Sequence, residues 1–339
     1  MNEVYEIFLA NFFDPKKRIF IGYLLSALSI ALIWLVWQKK FSFYEAIVKI
    51  FDPSIFFSRS SMADVRVFFL NKIFMLLISP LLITQLIIAT TIFNALSTFD
   101  WNPVKFGSHF AVTTVIASFT TFLFLFEDFS KYIVHRWMHK LPFLWAFHKV
   151  HHSAEKLTPL TVFRTHPLEG VIFSFRSAFV QGVSISLFYY LFGNKVDLAT
   201  ILGVNVFLFF FNVLGSNLRH SHISIRYWTW LERFLISPAQ HQLHHSIAEE
   251  HYDKNFGASL AVWDWMFGSL HLSIEKDDFQ LGVKEMDEND AHSLKTIYVA
   301  PLLEAIKHLK FVLIGNNQRD AGSVPKIDQK LLQDVQKEG

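Results

Sequence analysis

Twelve of the sixteen histidines in this chain lie between residues 135 and 251, and their spacing is the first sign of chemistry. His135-Arg-Trp-Met-His139 is H-x-x-x-H. His148-Lys-Val-His151-His152 is H-x-x-H-H, and His241-Gln-Leu-His244-His245 repeats it. With histidine at about one position in 21, H-x-x-x-H arises roughly once by chance, whereas two copies of H-x-x-H-H arise on the order of once in a thousand such chains. On a helix, residues i, i+3 and i+4 share one face, so each triplet can present its imidazoles together. His135, His139, His148, His151, His152, His220, His222, His241, His244 and His245 are the candidate ligands. They are too many for one ion, which takes at most about six, so two metals are implied. All-imidazole donors admit iron, zinc, copper or nickel.

Local signals put both triplets on helices. Ser237-Pro238 is a cap followed by proline at the first helical position, just before His241. Leu141-Pro142 breaks the preceding helix so that a new one starts before His148. Asp128, Asp253 and Asp264 are each placed to take the free N–H of a ligand histidine, and His166 is a further candidate for such a supporting bond. Arg176 and Gln181 are candidates for a polar head group.

The elements that must carry these histidines are membrane helices. The 339 residues are 52% apolar and only 18% charged, against ~25% charged in soluble domains, and mean hydropathy is +0.31. There are 38 phenylalanines and no cysteine, which removes disulfides, thiolate metal sites and cysteine nucleophiles. A net charge of +2 gives no basic field for nucleic acid. Ile19–Trp37 and Ile73–Leu96 are uncharged runs long enough to cross ~30 Å of hydrocarbon, the second with a kink expected at Ser79-Pro80. Phe110–Phe126 is a shorter third run, whose helix is expected to continue to His139. Ser177–Phe192 and Leu198–Leu214 read as a hairpin, crossing or re-entrant, which returns the chain to the side it left. Residues 127–170 and 215–275 then share one face as a histidine-bearing cap. Basic residues number six between the first and second runs, one between the second and third, and six after the third. That pattern places the cap in the cytoplasm, opposed by Lys16-Lys17-Arg18 before the first run. The expected units are 1–109 (membrane helices and a connecting loop), 110–275 (the histidine-box domain) and 276–339 (an amphipathic helix over Ile297–Ile314 and a polar tail over Gly315–Gly339).

Residues 117–270 resemble the membrane fatty acid hydroxylase/sterol desaturase superfamily. The resemblance rests on the three boxes, on the intermediate histidine at His220 in Arg219-His220-Ser-His222, and on Asp128 with Tyr132. It also rests on Arg164-Thr-His166-Pro167-Leu-Glu169, Asp253-Lys-Asn255-Phe-Gly257 and Trp263-Asp264-Trp-Met-Phe267-Gly268. It implies a non-haem diiron centre of two iron ions, replaceable by zinc on isolation, on a bundle of transmembrane helices. It implies O2-dependent oxidation of an unactivated C–H bond in a membrane lipid, as hydroxylation or, with the same site, desaturation. No dinucleotide fingerprint, His-Pro-Gly-Gly haem signature or C-x-x-C pair is present, so electrons are expected from an external reductase, cytochrome or ferredoxin. The sequence thus describes an all-α integral membrane protein with about four to five transmembrane or re-entrant helices under a cytoplasmic cap, in the inner membrane if the source is bacterial. A membrane metal transporter or store is the alternative from another class; it predicts charged residues inside the spans, and Ile19–Trp37, Ile73–Leu96 and Phe110–Phe126 carry none. A family member without catalysis would show a degenerate box, and all three are intact.

Overall fold

The computed structural model describes residues 2–99, 106–273, 280–284, 286 and 290–319. Four of its helical stretches are long and apolar enough to cross a membrane: Ile21–Gln38, Arg59–Leu96, Val112–Lys140 and Pro167–Lys195.

The central pillar is α7 (Val112–Lys140), and it carries the H-x-x-x-H box in its last two turns. The expected extension past Phe126 is therefore real, and at 1.5 Å per residue it lifts His135 roughly 13 Å above that residue. Two elements pack against it. The first, α8 (Pro142–His152), starts at the predicted break, because Pro142 needs no N–H at the first helical position. The second, α9 (Pro167–Phe192), begins at Pro167 with the His166 side chain as its cap. Along the lower half of α9 runs α6 (Gln85–Leu96), capped by Thr84 Oγ1. Above it, α5 (Arg59–Ile78) ends at the predicted Ser79-Pro80 interruption, where a single 3₁₀ turn separates the two helices.

The expected hairpin is asymmetric. Its outgoing arm is the whole of α9. Its return is a two-residue β-ribbon, Thr200–Ile201 paired antiparallel with Val204–Asn205, and then the short α10 (Val206–Val213). Backbone at this depth must find protein partners. Thr120 of α7 supplies them: its Oγ1 accepts from Ala199 N at 2.9 Å, and its carbonyl accepts from Asn205 Nδ2 at 3.0 Å. Lys195 Nζ donates to the carbonyls of Gly107, Ser108 and Phe110 at the far end of α7. The chain then climbs back to the histidines.

The remaining segments thicken the cap. The second H-x-x-H-H box is α11 (Pro238–His244), opened by a reciprocal Ser237–Gln240 capping box as its sequence foretold. A short α12 (Val262–Met266) follows. Ala63 and Val67 of α5 form one core with Val150 of α8 and Ile297, and Ala305 of α13 (Ala300–Arg319) packs on Ala146 and Phe147. Residues 59–72 and 291–305 are thus built into the histidine-bearing unit. The amphipathic helix expected over Ile297–Ile314 lies within the last of these elements, whereas most of the expected polar tail falls outside the described residues. Among the helices before α5 are α2 (Ile21–Ile33) and α3 (Phe43–Ile50). Both pack against Leu218, Ile223 and Ile225 of the cap.

Candidate metal centre

Nine histidines converge in two adjacent groups. His135, His139, His148, His152 and His244 form one, and His151, His220, His241 and His245 the other; within each, one nitrogen per ring lies within 4.8 Å of all the others. Each H-x-x-H-H box is shared between them. The i and i+4 residues enter one group and the i+3 residue enters the other, with the two boxes taking opposite assignments. A spacing that only says "same face" cannot reveal this division. Across it, His152 and His245 stack with centroids 4.5 Å apart; within the four-histidine group, His151 and His245 sit at 4.6 Å.

The five-histidine group has fixed tautomers. His135 Nδ1 donates to Phe256 O at 2.8 Å, and His244 Nδ1 donates to Lys254 O at 2.7 Å. A carbonyl accepts only, so the proton is on Nδ1 in both rings and each Nε2 is a bare lone pair. His148 Nδ1 lies 3.0 Å from Glu169 Oε1, a buried carboxylate that holds the same tautomer. Yet His135 Nε2 stands 3.1 Å from His148 Nε2 and 3.0 Å from His244 Nε2. Lone pairs facing one another at that distance have no hydrogen to share; a cation between them resolves the repulsion. Two imidazole nitrogens bound at right angles to one ion at ~2.1 Å stand about 3.0 Å apart. The donor set therefore fits a metal on its own geometry. The buried Nε2 atoms of His139 and His152 add two more acceptors with no hydrogen-bond partner.

The four-histidine group repeats the edge lengths, with His220 Nε2 at 3.2 Å from His151 Nε2 and 3.1 Å from His241 Nε2. Here the buried Nδ1 atoms of His241 and His245 have no partner among the described residues, while the backbone of Arg164 supports His151. Burial pushes His148 down to about 3 and His151 down to about 4, in each case away from the charged form. Burial, reinforced by neighbouring imidazoles, also drives His152, His220, His241, His244 and His245 well below the usual histidine range. All are neutral at neutral pH, as ligands must be.

The carbonyls that orient these rings come from one loop. Asp253 and Asn255 both adopt left-handed backbone, with φ of 58° and 56°, which aims the intervening Lys254 and Phe256 carbonyls at His244 and His135. Asn255 locks the loop by donating to Gln240 O and accepting from His271 N. Gly257 is required for space, since a Cβ there would sit 2.4 Å from Leu260 O. The Asn-Phe-Gly motif thus acts on the centre through its backbone.

The other expected residues distribute as follows. Asp264 accepts from Phe256 N and Gly257 N at 2.8 and 2.7 Å, so it anchors the carbonyl-bearing loop without touching a histidine. Asp128 does likewise one loop on, accepting from Ser259 N, Leu260 N and Trp263 Nε1. Asp253 pairs with Lys140 at 2.8 Å and lies 4.0 Å from His139 Nδ1. His166 caps α9 and faces Tyr298 O at 3.2 Å, away from both groups. His222 is not brought to either group: its Nε2 donates to Lys49 O at 2.8 Å, because the 3₁₀ turn that carries His220 ends there and the chain leaves it in extended form through Ser221. Glu169 is the supporting carboxylate that the reasoning on aspartates missed, although it lies in the Arg-Thr-His-Pro-Leu-Glu motif. Also missed was the Arg164–Asp64 pair, fully buried at 3.1 Å. Arg164 further donates to Val150 O, Ser60 O and Ala291 O, joining three segments behind α8. A cavity of about 230 Å³ reaches the five-histidine group at His139, His152 and His244, with Trp145, Asp253 and Lys284 at its rim.

Comparison with known proteins converges on the same stretch. A fatty acid hydroxylase family model matches residues 120–269. The alkylglycerol monooxygenase of Danio rerio is 31% identical over 155 residues, which is 45% of this chain and 30% of that protein. An ornithine lipid hydroxylase of Rhizobium tropici is 27% identical over 198 residues, covering 58% of this chain and 55% of its own length. A Delta(7)-sterol 5(6)-desaturase of Gibberella zeae is 28% identical over 174 residues, 51% of this chain and 48% of that protein. The chain therefore spans from about a third to about half of these relatives. No solved structure matches it significantly. Residues 120–269 thus match a fatty acid hydroxylase family model, and a monooxygenase, a lipid hydroxylase and a sterol desaturase align with the chain over roughly half of its length.

Proposed function

We propose that the chain is a membrane-bound diiron oxidoreductase that uses O2 to oxidise, by hydroxylation, an unactivated C–H bond of a membrane lipid. The observation that carries this reading is the pair of adjacent all-imidazole groups, one with its Nε2 lone pairs fixed toward a common centre. Two iron ions held there by His135, His139, His148, His152 and His244 and by His151, His220, His241 and His245 would supply O2 activation. The protein's part is placement. The Lys254 and Phe256 carbonyls and Glu169 set ring orientation, and burial of the imidazoles keeps them neutral and excludes water. Trp145 beside His139 and His152 narrows the cavity through which a chain or O2 approaches. Two electrons per turnover come from an external donor. Names among the relatives include monooxygenase, hydroxylase and desaturase, so desaturation at the same site is the second reading.

The test is metal content of the purified full chain with a Mössbauer spectrum after growth in ⁵⁷Fe, followed by incubation with candidate lipids, O2 and a chemical reductant. Two coupled irons per chain and a lipid product that gains one oxygen atom are expected. A product that instead loses two hydrogens selects desaturation. One metal or none in a folded sample overturns the proposal.

The same reading puts the cap in the cytoplasm. On either side of α2 the chain bonds the cap or the helix that leads into it: Arg18 bonds Asn212 and Ser216, and Lys49 of α3 meets His222. A helix so placed lies along the cap and leaves Lys16, Lys17 and Arg18 on the same side as Lys39 and Lys40. The basic residues that opposed the cytoplasmic assignment then support it. Because the chain has no cysteine, single-cysteine variants at Lys17 and Lys39 report this directly. An impermeant maleimide is expected to reach both from the cytoplasmic side, and labelling from opposite sides would establish α2 as a crossing.

A further inference from the structure

About two turns below His135, α7 and α9 bury an ionic cluster that the metal centre does not use. Glu127 Oε2 pairs with Arg176 Nη1 at 2.8 Å. Its Oε1 accepts from Ser177 Oγ at 3.0 Å and from Gln181 Nε2 at 3.2 Å. Asp128 is equally committed, to two backbone N–H groups and the Trp263 indole. Both carboxylates are therefore engaged by internal partners. Lys131, one turn further along α7, borders the same cavity of about 510 Å³. Among the described residues its ammonium has no hydrogen bond or close ion pair; the Glu127 and Asp128 carboxylates attract it from a distance, and Arg176 and Arg18 oppose them. Lys16 enters from the other wall, over Gly203, and its ammonium is likewise unpaired among the described residues.

The charge count at the cavity is three cations (Lys16, Lys131, Arg176) against two anions (Glu127, Asp128), an excess of one. An ammonium withdrawn from water is costly without a counter-charge, and ionisable residues at membrane depth mark ligands or partners. Leu123, Phe124, Leu198 and Leu208 give the cavity an apolar side. A charged end beside an apolar channel, at the level where cap meets hydrocarbon, matches an amphiphile. We propose that this cavity is a lipid site in which Lys131 pairs with the anionic group of a membrane lipid, a phosphate or a carboxylate, while an acyl chain runs along Leu123 and Leu208. Glu127 and Gln181 hold Arg176 in place as the second cation. This site stands on its own charge balance and does not depend on which metal the histidines hold.

The experiment uses the full chain in phosphatidylcholine nanodiscs doped with phosphatidylglycerol or oleate, with bound lipid counted by native mass spectrometry after release. One phosphatidylglycerol or oleate per chain is expected to be retained in preference to phosphatidylcholine. Lys131→Met is expected to lower that retention by at least about tenfold, and Lys131→Arg to restore it. Leu208→Trp, which fills the channel and keeps every charge, is expected to abolish it too. Each variant is compared at wild-type helicity and metal content. No preference in the wild type, or unchanged retention in Lys131→Met, overturns the proposal. Displacement of the lipid by millimolar inorganic phosphate also overturns it, since the site would then belong to a soluble anion.

Discussion

The two histidine groups are near copies in composition and opposites in support. In the five-histidine group, three rings have Nδ1 engaged, by Phe256 O, Lys254 O and Glu169. In the four-histidine group, the buried Nδ1 atoms of His241 and His245 engage nothing among the described residues. Partners of this kind fix tautomer and ring orientation and raise ligand basicity. One half of the centre is thus organised before metal arrives, while the other is held by packing and by its neighbour. We expect stepwise chelation of the purified protein to remove metal from the four-histidine group first.

The largest effect in that comparison comes from deleting ligands. His148→Ala and His241→Ala each remove a ring from one group only, so each is expected to bring metal from two ions per chain to one and to abolish turnover. Elemental analysis alongside activity checks this, and two ions retained in both variants would break the ligand map.

Next is the frame behind the four-histidine group. Asp64→Ala leaves Arg164 buried without its counter-charge, and breaking such a pair costs about 3–5 kcal/mol. Because Arg164 also holds Val150 O, beside His151, the loss should appear as a lower thermal midpoint, with metal lost at lower chelator concentration. The double variant Asp64→Leu/Arg164→Met, which removes both charges, is expected to recover most of the midpoint. A double variant no better than the single would mean the hydrogen bonds of Arg164 matter more than its charge.

A third variant tests the asymmetry itself. Glu169→Ala frees His148 Nδ1, and losing such a partner costs roughly 10–100-fold in metal affinity. The five-histidine group should then lose its advantage in the chelation series, and Glu169→Gln, which can still accept a hydrogen bond, should fall between. Equal release from the two groups in the wild type would instead show that Nδ1 partners do not set retention.

How much of this was legible follows from what a sequence encodes. The histidine boxes were readable because ligand chemistry restricts residue type and helix geometry restricts spacing. The breaks at Pro80 and Pro142 and the Ser237 cap were readable because proline and capping serines act locally. The division of each box between two groups was not, since i, i+3 and i+4 share a face whichever partner they meet. Nor were the Lys254 and Phe256 carbonyls, which every residue possesses. Asp64–Arg164 pairs residues 100 positions apart, a contact made only by the packing of α5 on α8.

The smallest expected effect concerns the residue on which spacing and structure part. His222 follows His220 by two positions, and its ring turns away to Lys49 O, with Phe56 edge-on at 6.0 Å. Its Nε2–H is engaged by a carbonyl and no ligand histidine is near it, so His222→Ala should leave both metals in place. The lost hydrogen bond is worth about 1 kcal/mol, felt where α3 meets the cap rather than at the centre. The expected outcome is two metals per chain, unchanged chelation order and a thermal midpoint slightly below wild type. His220→Ala, two residues away, is the internal control, because it should empty the four-histidine group. If His222→Ala instead released metal, the ring would have to swing toward the centre on loading, and the apparent four-against-five asymmetry would become five against five.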